Sequence, residues 1–123
     1  FREWIGVHWV WGDETIAPGS GHPHVPCDVI IDRPDLFPAT WNQHWIPRDE
    51  VYVRLHESHP VDVIATAHLP DGEKSPAAWQ ANAHRNVSVW APGHRADVFD
   101  LPVMVDGIAA MIQLAQRPSA TSA

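Results

Sequence analysis

Cysteine is nearly missing from this chain. Cys27 is the single one among 123 residues, so no intrachain disulfide can form. Secreted domains of this size often carry paired cysteines, and their absence leads to the expectation of a reducing, cytoplasmic setting. Asn86-Val87-Ser88 fits the glycosylation pattern, but so short a pattern arises easily by chance. Long apolar runs are missing too. No stretch approaches the ~20 residues needed to span a bilayer, and Phe1-Arg2-Glu3-Trp4 shows neither an initiating Met nor a signal-peptide pattern. Positive charge is scarce: the formal net charge is −7 and Lys74 is the lone lysine. A chain without a concentrated basic surface is poorly suited to nucleic acid or to anionic membranes. Phosphate-cradling loops are absent, since Gly19-Ser20-Gly21 is not followed by a helix carrying Lys-Ser or Lys-Thr. There is no G-x-S-x-G elbow either.

What is present suffices for a core. Hydrophobic residues make up 45% and charged residues 19%, which is the balance of a folded chain rather than a disordered one. At this length roughly two-thirds of the unfolded surface can be buried without a disulfide or metal staple. The expectation is one globular domain over 1–117 and a flexible tail over 118–123. Its predicted fold is α+β: a mostly antiparallel sheet of five to seven strands with one C-terminal amphipathic helix.

The patterns behind that prediction differ in clarity. Alternation over Arg2–Trp11 predicts a first strand with two apolar faces. Cys27–Asp32 is a short β-branched strand, and the Pro-punctuated stretch Arg33–Arg48 reads as a long loop. Val51, Val53 and Leu55 alternate with Tyr52, Arg54 and His56, the signature of a half-buried strand. Val61–His68 is the next strand after a turn. Pro70-Asp71-Gly72-Glu73 has tight-turn chemistry. The alternation from Ala77 to His84 favours a strand, although Ser75-Pro76 could also start a helix. Asn86–Trp90 and Ala96–Phe99 read as partner strands. Met104, Ile108, Met111 and Ala115 then recur at helical spacing, with Asp100 as a candidate cap and Pro102 in the first turn.

Nine histidines are the main chemical resource. His22-Pro23-His24-Val25-Pro26-Cys27 places two imidazoles and a thiol within one short segment, donors that zinc and similar ions prefer. In an extended chain His22 and His24 point to one side, and Cys27 could close the site after the Pro26 bend. A fourth ligand would come from His8, His44 or water. Two prolines stiffen the segment, and its spacing matches no standard zinc signature. His56-Glu57-Ser58-His59 is not the H-E-x-x-H motif, because its histidines are three apart in a predicted turn. A lone cysteine beside β-branched residues also reads as a small buried hydrophobe.

Seven tryptophans are the other resource. Trp41-Asn42-Gln43-His44-Trp45 puts two indoles and three hydrogen-bonding side chains in a Pro-flanked loop, a composition suited to a binding surface or to capping the sheet. Three functional readings follow. The preferred one is a small non-catalytic accessory domain, docking on a larger protein subunit or a second copy through Trp41, Asn42, Gln43, His44 and Trp45 or a sheet edge, and needing no cofactor. The second is a metal-binding protein or metal-dependent enzyme that holds zinc or another transition metal with His22, His24 and Cys27. The third is a carbohydrate-binding module stacking sugars on Trp41 and Trp45.

Overall fold

A computed structural model of the protein describes residues 2–10, 19–37, 43–82 and 87–117. Its main body is an antiparallel five-stranded sheet. The strands are β2 (His24–Ile31), β3 (Gln43–Glu50), β5 (Val61–His68), β6 (Lys74–Ala81) and β7 (Ser88–Trp90), in the order β3-β2-β5-β6-β7. A second, two-stranded sheet pairs β1 (Val7–His8) with β4 (His56–Glu57). The chain closes with the helix α2 (Pro102–Ala115). The α+β expectation with a predominantly antiparallel sheet and a C-terminal helix therefore holds. Among the described residues no helix is long and apolar enough to cross a membrane.

The β5–β6 hairpin is the most direct product of the sequence. Leu69 donates its N–H to Glu73 and Gly72 to Leu69, while the Asp71 carboxylate accepts from the Glu73 N–H. Gly72 sits at φ +88, where a side chain would be strained. β6 is buried on nearly every residue because both faces are covered. On one side Trp79 donates its indole N–H to the Ile5 carbonyl at 2.8 Å. On the other, Ala77 and Ala78 join the central cluster with Val29, Ile46, Ile64 and Val103.

Four segments differ from their sequence patterns. The predicted strand Arg2–Trp11 does not form over its described residues: Arg2–Ile5 makes the short helix α1, Val7–His8 pair as a strand, and Trp11 lies outside the described residues. Gly6 at φ +82 turns the chain between them, and a Cβ there would lie 2.3 Å from a Val61 methyl. The loop predicted up to Arg48 ends earlier, because Gln43–Glu50 pair with β2 along most of its length. Val51–Leu55, read as a strand, is instead an irregular extension of the β2–β3 pairing. Val51 donates to the Pro23 carbonyl, Val53 bridges Gly21, and Arg54 takes φ 54. Its alternation survives as burial, with Val51 and Val53 in the core.

Ala96–Asp100 is a 3-10 helix rather than a strand. The backbone N–H groups leading into it are taken by a side chain described below, so none is left for a sheet partner. Leu101, not Asp100, occupies the cap of α2, and no side chain caps the helix. The buried stripe of α2 is Val103, Met104, Gly107, Ala110, Met111 and Leu114, which turns Ile108 and Ala115 outward. Gly107 sets that rotation. A Cβ there would stand 2.3 Å from the Trp90 ring, so the bare backbone is what lets the helix sit on the indole.

Candidate metal centre

β2 and β3 place the first donors. His24 and Glu50 are directly opposed across the two strands, which puts both side chains on one face. His22 lies two residues earlier in extended chain and shares that face. The Glu50 carboxylate reaches both: His22 Nδ1 is 2.8 Å from Oε1, and His24 Nε2 is 3.8 Å from Oε2. One ligand atom from each of these three residues lies within 4.8 Å of the others.

The fourth group arrives from the opposite edge of the sheet. After β7 the chain turns at Pro92-Gly93 and brings His94 Nε2 to 2.5 Å from Glu50 Oε2. The turn is held by Asp49, which is almost completely buried. Its carboxylate accepts the backbone N–H groups of Gly93 at 2.7 Å, His94 at 3.0 Å and Arg95 at 3.2 Å. Three donors converging on one buried carboxylate satisfy it well. They also fix where the His94 ring leaves the backbone. The Tyr52 hydroxyl stands 3.4 Å from His94 Nδ1, on the far side of that ring.

Three imidazoles thus surround the two oxygens of one carboxylate. Glu50 forms the floor, with its side chain 11% exposed, whereas each of the three imidazole side chains is about half exposed. Trp9 closes one flank, its ring 5.6 Å from that of His22 and 6.1 Å from that of Tyr52. Donors ~2.1 Å from a common ion and at right angles lie ~3 Å apart; His22 Nδ1 stands at about that spacing from Glu50, His24 Nε2 stands farther off at 3.8 Å, and His94 meets the group through Glu50. Nitrogen donors with one carboxylate suit manganese, iron, cobalt, nickel, copper or zinc, and offer none of the thiolates that select soft ions.

No protein-family model, curated protein or solved structure matches this chain.

The sequence-derived candidates fare differently. His22 and His24 are brought together as their spacing suggests. Cys27 turns inward instead, to 2% exposure, and lies among the core residues. Burial first, then the nearby charges of Asp49 and Asp28, push its thiol up to about 12. The place on the cluster that Cys27 was expected to fill is occupied by Glu50. Of the suggested fourth ligands, His8 packs its ring against His56 in the small sheet, and His44 lies near the start of β3. Partial burial lowers the pKa of His44, against the raising effect of Asp106.

Of the predicted binding loop, Trp41 and Asn42 lie outside the described residues. Gln43, His44 and Trp45 belong to β3, and Trp45 is 54% exposed. His56 and Glu57 are exposed on the small sheet.

The burial of Cys27 has a consequence that can be measured. The folded protein resists an aromatic disulfide reagent at pH 8, and denaturant releases the thiol at the rate of a free cysteine. An unfolded thiol ionises near 9 and the folded one only near 12. This contribution to stability is complete below pH 9 and declines as pH rises through that window. Rapid modification of the native protein at pH 8 would contradict the placement.

Proposed function

We propose that this protein binds one divalent transition-metal ion through His22, His24, Glu50 and His94. The observation that carries the reading is the meeting of His22, His24 and Glu50, with one ligand atom of each within 4.8 Å of the others, and of His94, which reaches the same mostly buried carboxylate from a turn beyond the far edge of the sheet. A solvated ion pair needs one histidine and gains little from it. Three around one glutamate form a donor set suited to a borderline metal ion. Tyr52 at His94 Nδ1 is the kind of outer hydrogen bond that orients a metal-binding imidazole. The half-exposed imidazoles leave the ion's outer positions open to small molecules, which is the arrangement of a reactive rather than a purely structural site.

The test is elemental mass spectrometry on protein purified without a histidine tag, beside its His24→Ala variant. The expected result is about one equivalent of a transition metal, or uptake of one equivalent of Co(II) or Mn(II) by chelator-treated protein, with marked loss in the variant. Absence of metal and no uptake by the intact chain would overturn the proposal.

A second reading is favoured by Trp45. It stands 54% exposed on β3, an edge strand of the sheet. An exposed indole on a strand that has no outer partner among the described residues suits docking to a larger protein. It is compatible with metal binding, since Trp45 is not among the metal donors. Loss of a co-purifying partner on Trp45→Ala, with metal content unchanged, would support it.

A further inference from the structure

A groove runs along the surface from the ring of His94, whose Nε2 contacts Glu50 at the candidate metal centre. Tyr52 and His94 form its inner end, and Trp90, Phe99, Met104 and Ile108 supply most of the remaining wall. The two inner residues belong to the site already described. The outer residues carry no charge, yet Phe99 and Ile108 are 53% and 40% exposed. Side chains of that size left in water beside a polar centre mark a surface that gains by being covered.

The groove is built firmly. The Trp90 indole donates to Met104 Sδ at 3.3 Å and lies against Gly107, where a Cβ would collide with its ring. Gly93, at φ +111, lets the His94 turn lie against Met104 and Phe99, for a Cβ there would stand 2.7 Å from Met104 Cε. The same turn is fastened to Asp49 by the three amide bonds that position His94. One rigid turn therefore sets both the imidazole at the inner end and the apolar wall beside it.

Resting on the metal-binding reading above, we propose that the site takes a small organic acid or similar oxygen-donor ligand. Its polar head reaches the ion beside His94, and its apolar chain or ring lies in the groove on Trp90, Phe99 and Ile108. The head group follows from the open positions of a nitrogen- and oxygen-ligated ion, which favour an oxygen donor. The tail follows from a wall without charge, whose one hydrogen-bonding group beyond Tyr52 and His94 is the Trp90 indole N–H, already given to Met104 Sδ. Each methylene fully buried in such a groove raises affinity about fourfold, so a few methylenes in partial contact are worth a factor of ten.

The experiment uses chelator-treated full-length protein reloaded with Co(II), whose visible spectrum reports its ligands. Acetate, hexanoate and phenylacetate are titrated in turn. The expected result is that hexanoate or phenylacetate perturbs the spectrum at concentrations at least tenfold lower than acetate does. Ile108→Asp and Phe99→Ser, both at exposed positions, should each shrink that ratio towards one while leaving Co(II) affinity and the acetate titration unchanged. If Co(II) binds but the three acids behave alike, the groove proposal is overturned and the metal site stands. A preference that survives both substitutions would also overturn it, because the apolar tail would then be held elsewhere. If Co(II) does not bind, both fall together.

Discussion

Glu50→Gln is expected to lower transition-metal affinity by at least about 100-fold, the upper end of what supporting residues alone contribute at metal sites. The substitution keeps size and shape but removes the charge on which His22, His24 and His94 converge. A neutral amide is a weak donor to a borderline ion, and its NH2 group faces at least one imidazole in the wrong sense. Folding stability should change little by comparison, because these imidazoles are half exposed and pairs of that kind are worth about 0–1 kcal/mol. Competition titration against a fluorescent chelator measures the first effect, and urea denaturation of the metal-free proteins measures the second. Equal metal affinities in Glu50→Gln and the parent would remove the carboxylate from the site.

Asp49→Ala is expected to do the reverse and damage the fold first. Asp49 is 2% exposed, and its carboxylate takes three backbone N–H groups from Gly93, His94 and Arg95. Truncation leaves those donors without their acceptor and opens a cavity beside Cys27. Hydrogen bonds to a charged group contribute about 1.5–3 kcal/mol each and do not add in full. A loss of about 3–5 kcal/mol is therefore expected, a drop in midpoint of roughly 10 °C or more for a chain of this size. Asp49→Asn keeps one acceptor oxygen and should fall between Ala and the parent. Metal affinity should follow in the same order, since the turn that presents His94 is released. Thermal unfolding of Asp49→Ala within about 1 kcal/mol of the parent would show that the turn is held by something else.

The two neighbouring acids explain why part of this protein could be read from its sequence and part could not. Alternation in Val61–His68 and from Ala77 onward, with turn chemistry between them, points to a hairpin from local information, although Ser75-Pro76 also suits a helix start and the second strand begins earlier, at Lys74. The same is true of α2, whose period is plain, although its exact rotation depends on Gly107 meeting Trp90. His22 and His24 were legible as a pair, because period 2 in extended chain puts both on one side whatever the fold. Glu50 and His94 were not. Neither has a motif around it, and each joins the candidate site only through strand register or through a turn fastened to Asp49. Arg2–Ile5 failed for a related reason: its alternation is real, but Gly6 breaks the chain direction and the Trp79–Ile5 contact fixes a helix there. Cys27 failed because its neighbours in sequence suggest a ligand, while its side chain is buried in the core beside Asp49.

β3 and β7 stand at opposite ends of the strand order, so an uncurled version of this sheet would offer two bare margins to other chains. Here the last residues of β3 grip the turn that follows β7, which draws one end of each margin towards the other. An incoming strand at that end must first peel the 93–95 turn away from Asp49 and Glu50. An ion shared by Glu50 and His94 would make that peeling harder by binding the closed form alone. Removing the ion should then speed amide exchange at the 88–95 and 46–50 backbone together, as one seam, and leave the β5–β6 hairpin as slow as before. On this view the acid proposed to hold the ion and the acid that fastens the turn are neighbours at one and the same opening.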